Sequence, residues 1–211
     1  DSNGAFTCVV PGATPGRRGL SAAVHDHAST ALRPDSWTSA DAAGLPIFPG
    51  LVRYDEVETG EIRHALRFTV DISRTSWVWP ARHESGSTAN VNAPPMGLRL
   101  RMKAAYDLPA ATPRVRTILA ALKKYGMMVA DNGTDWYLSG VPDPRWDDDE
   151  LSVINDIPGS AFEVVDVSSL QLARKPDPLK QPSGAPSFLF FGSIAGLMGG
   201  VEGIYGGFGL T

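Results

Sequence analysis

The stretch Glu61 to Val70 constrains this chain more than any other. Ile62, His64, Leu66, Phe68 and Val70 alternate there with Glu61, Arg63, Ala65, Arg67 and Thr69, the two-residue period of a strand with one face on a core and the other polar. His64 falls on the apolar face, where it reads either as a neutral, hydrogen-bonded core histidine or as a buried general base. A second alternating run, Gly97 to Lys103, sets Leu98, Leu100 and Met102 against Arg99, Arg101 and Lys103. Trp77, Val78 and Trp79 predict a third strand, ended by Pro80, which has no amide proton to give to a ladder. Met127 to Ala130 and Trp136 to Leu138 read as the two arms of a hairpin about Asp131-Asn132-Gly133, and Phe162 to Val167 as a further strand.

One helix stands out against these strands. Pro113 suits a first turn, Val115, Ile118, Leu119 and Leu122 keep one apolar stripe, Lys123 and Lys124 complement the carboxyl end of the dipole, and Gly126 terminates it. Thr38 and Asp41 stand at capping-box spacing before Gly44, which predicts a single short helical turn. Asp147, Asp148, Asp149 and Glu150 precede Leu151, Val153 and Ile154 and fit the first turn of another short helix. With Gly 22 and Pro 17 in 211 residues, turns are too frequent for a long-helix bundle. The expected fold is mainly β: an antiparallel sandwich or jelly-roll-like domain over residues 20–173 with one principal helix at Pro113 to Tyr125.

The flanks have a different composition. Residues 1–19 form a Gly- and Pro-rich arm; the start at Asp1 predicts removal of a targeting segment, and with it an exported, secreted or lumenal location. Residues 174–187 read as a Pro-rich linker. Residues 188–211 form an apolar Gly-rich tail in which Gly192, Gly196 and Gly200, and in another register Gly199, Gly203 and Gly207, recur every four residues. Such small-residue stripes occur where helices pack closely in membranes, so Phe188 to Leu210 is a candidate membrane contact, although Glu202 fits poorly against lipid. The plainer reading is a tail lying along a partner or without fixed structure.

Several chemistries are excluded or weakened. A formal net charge of −4 argues against nucleic acid as partner. Cys8 alone forms neither an internal disulfide nor a cysteine-based zinc site. His25 and His27 flank Asp26, but only His83-Glu84 offers distant further ligands, so no metal is expected. The acids at Asp143 and Asp147 to Glu150 lack calcium-loop spacing, and phosphate loops, dinucleotide fingerprints and nucleophile elbows are absent from the sequence. No cofactor is expected.

Three constellations remain. Trp77, Trp79, Arg82 and His83 precede the Ser-, Asn- and Gly-rich loop Glu84 to Pro95; aromatic platforms beside hydrogen-bonding groups hold sugar rings, and the loop is a candidate lid. Arg63, Arg67, Arg99, Arg101 and Lys103 would form one basic patch if their strands were sheet neighbours, either a solvated face or a site for carboxylated or phosphorylated ligands. Asn132-Gly133-Thr134 is a formal glycosylation acceptor that the expected hairpin turn explains equally well.

The blocks GLPIFPGLVRYDEV, GEIRHALRFTV, WPARH, PPMGLRLRMKA and ALKKYGMMVADNG, with WYLSGVPDPRW and FEVVD, resemble a family of largely uncharacterised secreted bacterial β-rich proteins over about Ala31 to Val167. The resemblance implies an extracellular β-rich domain that binds or acts on polysaccharide. It carries over His64, Arg82, His83, Arg99, Arg101, Tyr125, Asp131 and Asn132 as candidate site residues; the terminal arm and the apolar tail depart from the family pattern.

Two functions follow as expectations. In the first, the domain binds or degrades a polysaccharide, with Trp77, Trp79, Arg82, His83, Arg99, Arg101 and Asn132 on the ligand and His64, His83 or Asp131 as catalytic candidates. In the second, it is a non-catalytic accessory subunit docked by its tail onto a membrane protein complex.

Overall fold

The principal helix shows how the chain meets its core. In the computed structural model, which describes residues 25, 31–37 and 41–171 together with the backbone of Gly207–Gly209, α2 spans Pro113–Lys124. Thr112 caps it by accepting from the Val115 amide, and Pro113 takes the first turn, where no amide is needed. Val115, Ile118, Leu119 and Leu122 are fully buried, each worth about 1.5 to 3 kcal/mol relative to exposure. Gly126, at φ +73°, turns the chain at the helix end; a Cβ there would lie 2.1 Å from the Leu100 carbonyl oxygen.

That stripe covers one face of a mixed sheet. Its strands are β1 (Leu66–Val70), β2 (Arg99–Met102), β3 (Met127–Asn132), β4 (Tyr137–Ser139) and β5 (Phe162–Val164), in the order β5-β2-β3-β1-β4. The backbone of β6 (Gly207–Gly209) pairs antiparallel along the outer edge of β4. Two short helices, α1 (Tyr54–Thr59) and α3 (Asp148–Leu151), flank the sheet, the latter capped by Asp147, whose carboxylate accepts from the Asp149 and Glu150 amides. Leu66, Phe68, Leu100, Met102, Met127 and Val129 join the α2 stripe in one core.

Several expectations are corrected. The sheet is mixed, because β1 and β3 run parallel. The proposed hairpin does not exist: β3 and β4 lie on opposite sides of β1, and residues 133–136 cross its end, with Gly133 donating to Val70 and Trp136 to Thr69. Residues 61–65 precede the strand. Trp77 makes only an isolated bridge to Met96. Asp41 to Gly44 form a turn in which Gly44 donates to the Asp41 carbonyl, and Thr38 of the expected helical turn lies outside the described residues. The arm at 1–19, the linker at 174–187 and Phe188 to Gly206 of the tail lie outside the described residues, as do Cys8, Asp26 and His27.

Candidate functional site

The second face of the sheet carries the polar chemistry. Leu66, Phe68 and Val70 point to the core, so Arg67 and Thr69 point away from it. Exposure of Arg67 was the expectation, yet only 8% of it is exposed. Residues 41–52 lie over this side: Ala43 donates to the Ala130 carbonyl at 2.9 Å, Val52 donates to Ser139 at 3.0 Å, and a Cβ on Gly50 would lie 3.3 Å from that of Arg67.

A bulge in β3 builds the site. Phe68 pairs with Val129, but Thr69 pairs with Asp131, leaving Ala130 as the extra residue. Unbroken alternation would turn Asp131 toward the core; the bulge places it with Arg67 and Thr69 and frees the Ala130 carbonyl to hold Ala43. Arg67 Nη1 donates to Ser139 Oγ at 3.1 Å. Its Nη2 lies 3.6 Å from Asp41 Oδ2 and 3.9 Å from Asp131 Oδ2, beyond hydrogen-bond range, and among the described residues its buried Nε has no acceptor. The Asp41 side chain is wholly buried and accepts from the Leu45 amide at 2.8 Å, whereas that of Asp131 is 36% exposed. Burial pushes the Asp131 carboxyl above its ordinary range, against the pull of Arg67 and of the Asn132 and Ala42 amides.

His83 reaches the same place through one residue. Its Nδ1 lies 3.0 Å from the Ala42 carbonyl, while the Ala42 amide donates to Asp131. A carbonyl only accepts, so Nδ1 carries the hydrogen and a neutral ring presents Nε2 as an acceptor. Asn132 continues the rim, donating to the Ser85 carbonyl at 2.8 Å and accepting from Ser73 Oγ at 2.7 Å. Asp131 and Asn132 thus end β3 at the carboxyl end of the β1–β3 pair, where parallel strands gather ligand groups, Asp131 on the face of Thr69 and Asn132 on that of Val70, and His83 joins the Asp131 side through Ala42.

The other candidates lie elsewhere or are otherwise engaged. His64 precedes the opposite end of β1, on the order of 15 Å away by strand rise; its Nδ1 contacts Ala65 O, and its Nε2 lies 3.0 Å from Arg53 Nη2 and 3.2 Å from Glu56 Oε2. Trp77 packs against the core, and Trp79 is half-buried. Arg82 donates to the Arg33 carbonyl and pairs with Asp35. Arg99 spends its guanidinium on the Tyr125 carbonyl, Arg101 pairs with Glu163 at 2.6 Å, and Lys103 donates to Ser160 O. The five-cation patch is thus corrected: β3 separates β1 from β2, Arg67 is buried, and Arg63 pairs with Glu61.

The expected lid is also corrected. Its residues are fastened along 73–75 by Thr75 N to Thr88 O at 2.9 Å, Arg74 N to Pro94 O at 3.0 Å and Ser87 N to Ser73 O at 3.2 Å. Sequence reasoning missed the part played by Asp41, Arg67 and Ser139. The one available signal was an arginine between Leu66 and Phe68 in an apolar strand.

Among the described residues no group of three or more His, Cys, Asp or Glu could hold a metal ion, and no helix is long and apolar enough to cross a membrane. Compared with protein-family models, with curated proteins and with solved structures, the chain matches none.

Proposed function

We propose that this chain is an extracytoplasmic domain that binds a polysaccharide at the end of the sheet carrying Asp131, Asn132 and His83. The observation that carries this reading is the bulge, which takes Asp131 out of the core and leaves its carboxylate part-exposed above a buried arginine. A carboxylate, a carboxamide and an imidazole acceptor are groups suited to sugar hydroxyls, and the family resemblance supports the same reading. Binding without cleavage is favoured, because the carboxylate on the other side of Arg67, that of Asp41, is wholly buried and has no access to a polymer. A sandwich or jelly-roll form belongs with this proposal and would need a second sheet from outside the described residues. The accessory-subunit alternative rests on tail residues that also lie outside them, and the backbone of Gly207–Gly209 runs along β4 of this same domain.

A glycan array with the full chain tests the reading, followed by titration of His83→Ala and Asp131→Ala against any polysaccharide retained, and by a reducing-end assay for cleavage. Loss of affinity in both variants with no new reducing ends is expected. Unchanged affinity in both would remove the assignment.

A further inference from the structure

We infer that the site around Asp131 takes an uncharged, hydroxyl-rich sugar and rejects uronate or sulfated chains, an inference that rests on the glycan reading above. Among the described residues two carboxylates, Asp41 and Asp131, face the Arg67 guanidinium, so these three groups together offer an anion no surplus positive charge. Arg67 Nη2 and Asp131 Oδ2 are 3.9 Å apart, too far to satisfy each other, and among the described residues the Arg67 Nε has no acceptor. A hydroxyl at the exposed side of Asp131 can accept from one partner and donate to another; a ligand carboxylate or sulfate can only accept and would meet Asp131 charge to charge.

Of the arginines near this end of the sheet, Arg82 is paired with a carboxylate, and Arg74 keeps its charge beside a serine hydroxyl on the Asn132 side. Arg82 holds Asp35 and the Arg33 carbonyl, and Arg74 donates its Nε to Ser76 Oγ at 3.0 Å. His83 in its neutral form adds an acceptor at Nε2, and Asn132 has its Oδ1 and one amide hydrogen committed to Ser73 and Ser85. Among the described residues the Asp131 carboxylate and the His83 Nε2 are the acceptors left at the rim, a pair matched by hydroxyl donors.

The experiment measures binding of the full chain to neutral gluco-, manno- and galacto-oligosaccharides and to uronate and sulfated oligosaccharides of the same length, at low and high salt. Binding of a neutral series with little salt dependence is expected, with Asp131→Asn weakening it about tenfold or more, as loss of a charged acceptor does. Uronate or sulfated chains binding as tightly as neutral ones, with affinity falling steeply in salt or rising in Asp131→Asn, would overturn the inference while leaving glycan binding standing. Neutral binding indifferent to Asp131→Asn would overturn it as well. If no member of the panel binds, the glycan reading itself fails and the inference falls with it. The salt series uses the unaltered chain, so the result does not depend on how well the variant folds.

Discussion

Arg67 on β1 and Asp131 on β3 face each other across a parallel pair, Nη2 to Oδ2 at 3.9 Å, and the same nitrogen lies 3.6 Å from the wholly buried Asp41. The guanidinium therefore stands between one carboxylate with no access to water and one that has some.

Removing that guanidinium strands a buried charge. Arg67→Met is expected to cost about 3 to 5 kcal/mol, because the buried Asp41 carboxylate would lose the guanidinium 3.6 Å from it. Adding Asp41→Asn should recover part of the loss, with a coupling of about 1 to 3 kcal/mol. Urea unfolding of the two single variants and the double variant gives the cycle; strictly additive losses would show that the pair is not coupled.

Two aspartates should shape acid stability in opposite directions. Burial raises the Asp131 carboxyl above its usual value of 3.8, despite Arg67, so the stability linked to its proton is present below that value and is lost as pH rises through its folded value. Asp131→Asn should therefore gain on the parent as pH rises through that window. Asp143 is the reverse case: the Arg145 side chain, hydrogen-bonded to it, lowers it to about 2, so its contribution is present above 3.8 and is lost as pH falls toward 2. Arg145→Gln should flatten that acid limb, the more so at low salt, since this pair is at the surface. Denaturation of the parent and both variants at a series of pH values separates the two signs.

Local grammar made part of this fold legible, and long-range choices hid the rest. Pro113 to Gly126 carries its own cap, stripe and stop, so its boundaries follow from the chain itself. Asp147 likewise announces α3. Helix α1 is absent from the sequence reading: its signals, Asp55 and Glu56 in a first turn and a closing Gly60, span only six residues and carry no apolar stripe of their own. The hairpin reading failed because Asp131-Asn132-Gly133 is a turn signal without an address. Whether β4 returns beside β3 or crosses to the far side of β1 depends on what else pairs with β3, and β2 occupies its other side. Asp131 was visible as a residue, but its exposure depends on a one-residue slip opposite Thr69 that periodicity cannot register. Asp41 read as a helix cap because its partner is 26 positions away on a strand.

The α2 stripe can be tested by contrast. Leu119 is fully buried, whereas Val164, on the edge strand β5, is 66% exposed. Leu119→Ala is expected to lose about 2 to 4 kcal/mol and Val164→Ala less than about 0.5 kcal/mol, measured as unfolding midpoints at constant urea slope. Equal losses would place the core elsewhere.

The segment once expected to be a lid provides the last test, because its attachment depends on a glycine. A Cβ on Gly86 would lie 2.1 Å from the Arg74 carbonyl carbon and 2.2 Å from its oxygen, both backbone atoms that cannot swing aside. Gly86→Ala must therefore push residues 85–88 away from 73–75, straining the Ser87 to Ser73 and Thr75 to Thr88 bonds and the donation from Asn132 to the Ser85 carbonyl. The expected cost is about 1 to 3 kcal/mol, as for other forced insertions into close-packed contacts. The opening should be local, since the strained bonds join 85–88 to 73–75 and to the last residue of β3, so protease cleavage within 84–95 should quicken well before global unfolding. Asn132→Ala should quicken the same cleavage by removing the tether from the other side. If Gly86→Ala leaves both the cleavage rate and the unfolding free energy unchanged, the segment is not fastened to residues 73–75, and the rim around Asn132 has to be redrawn.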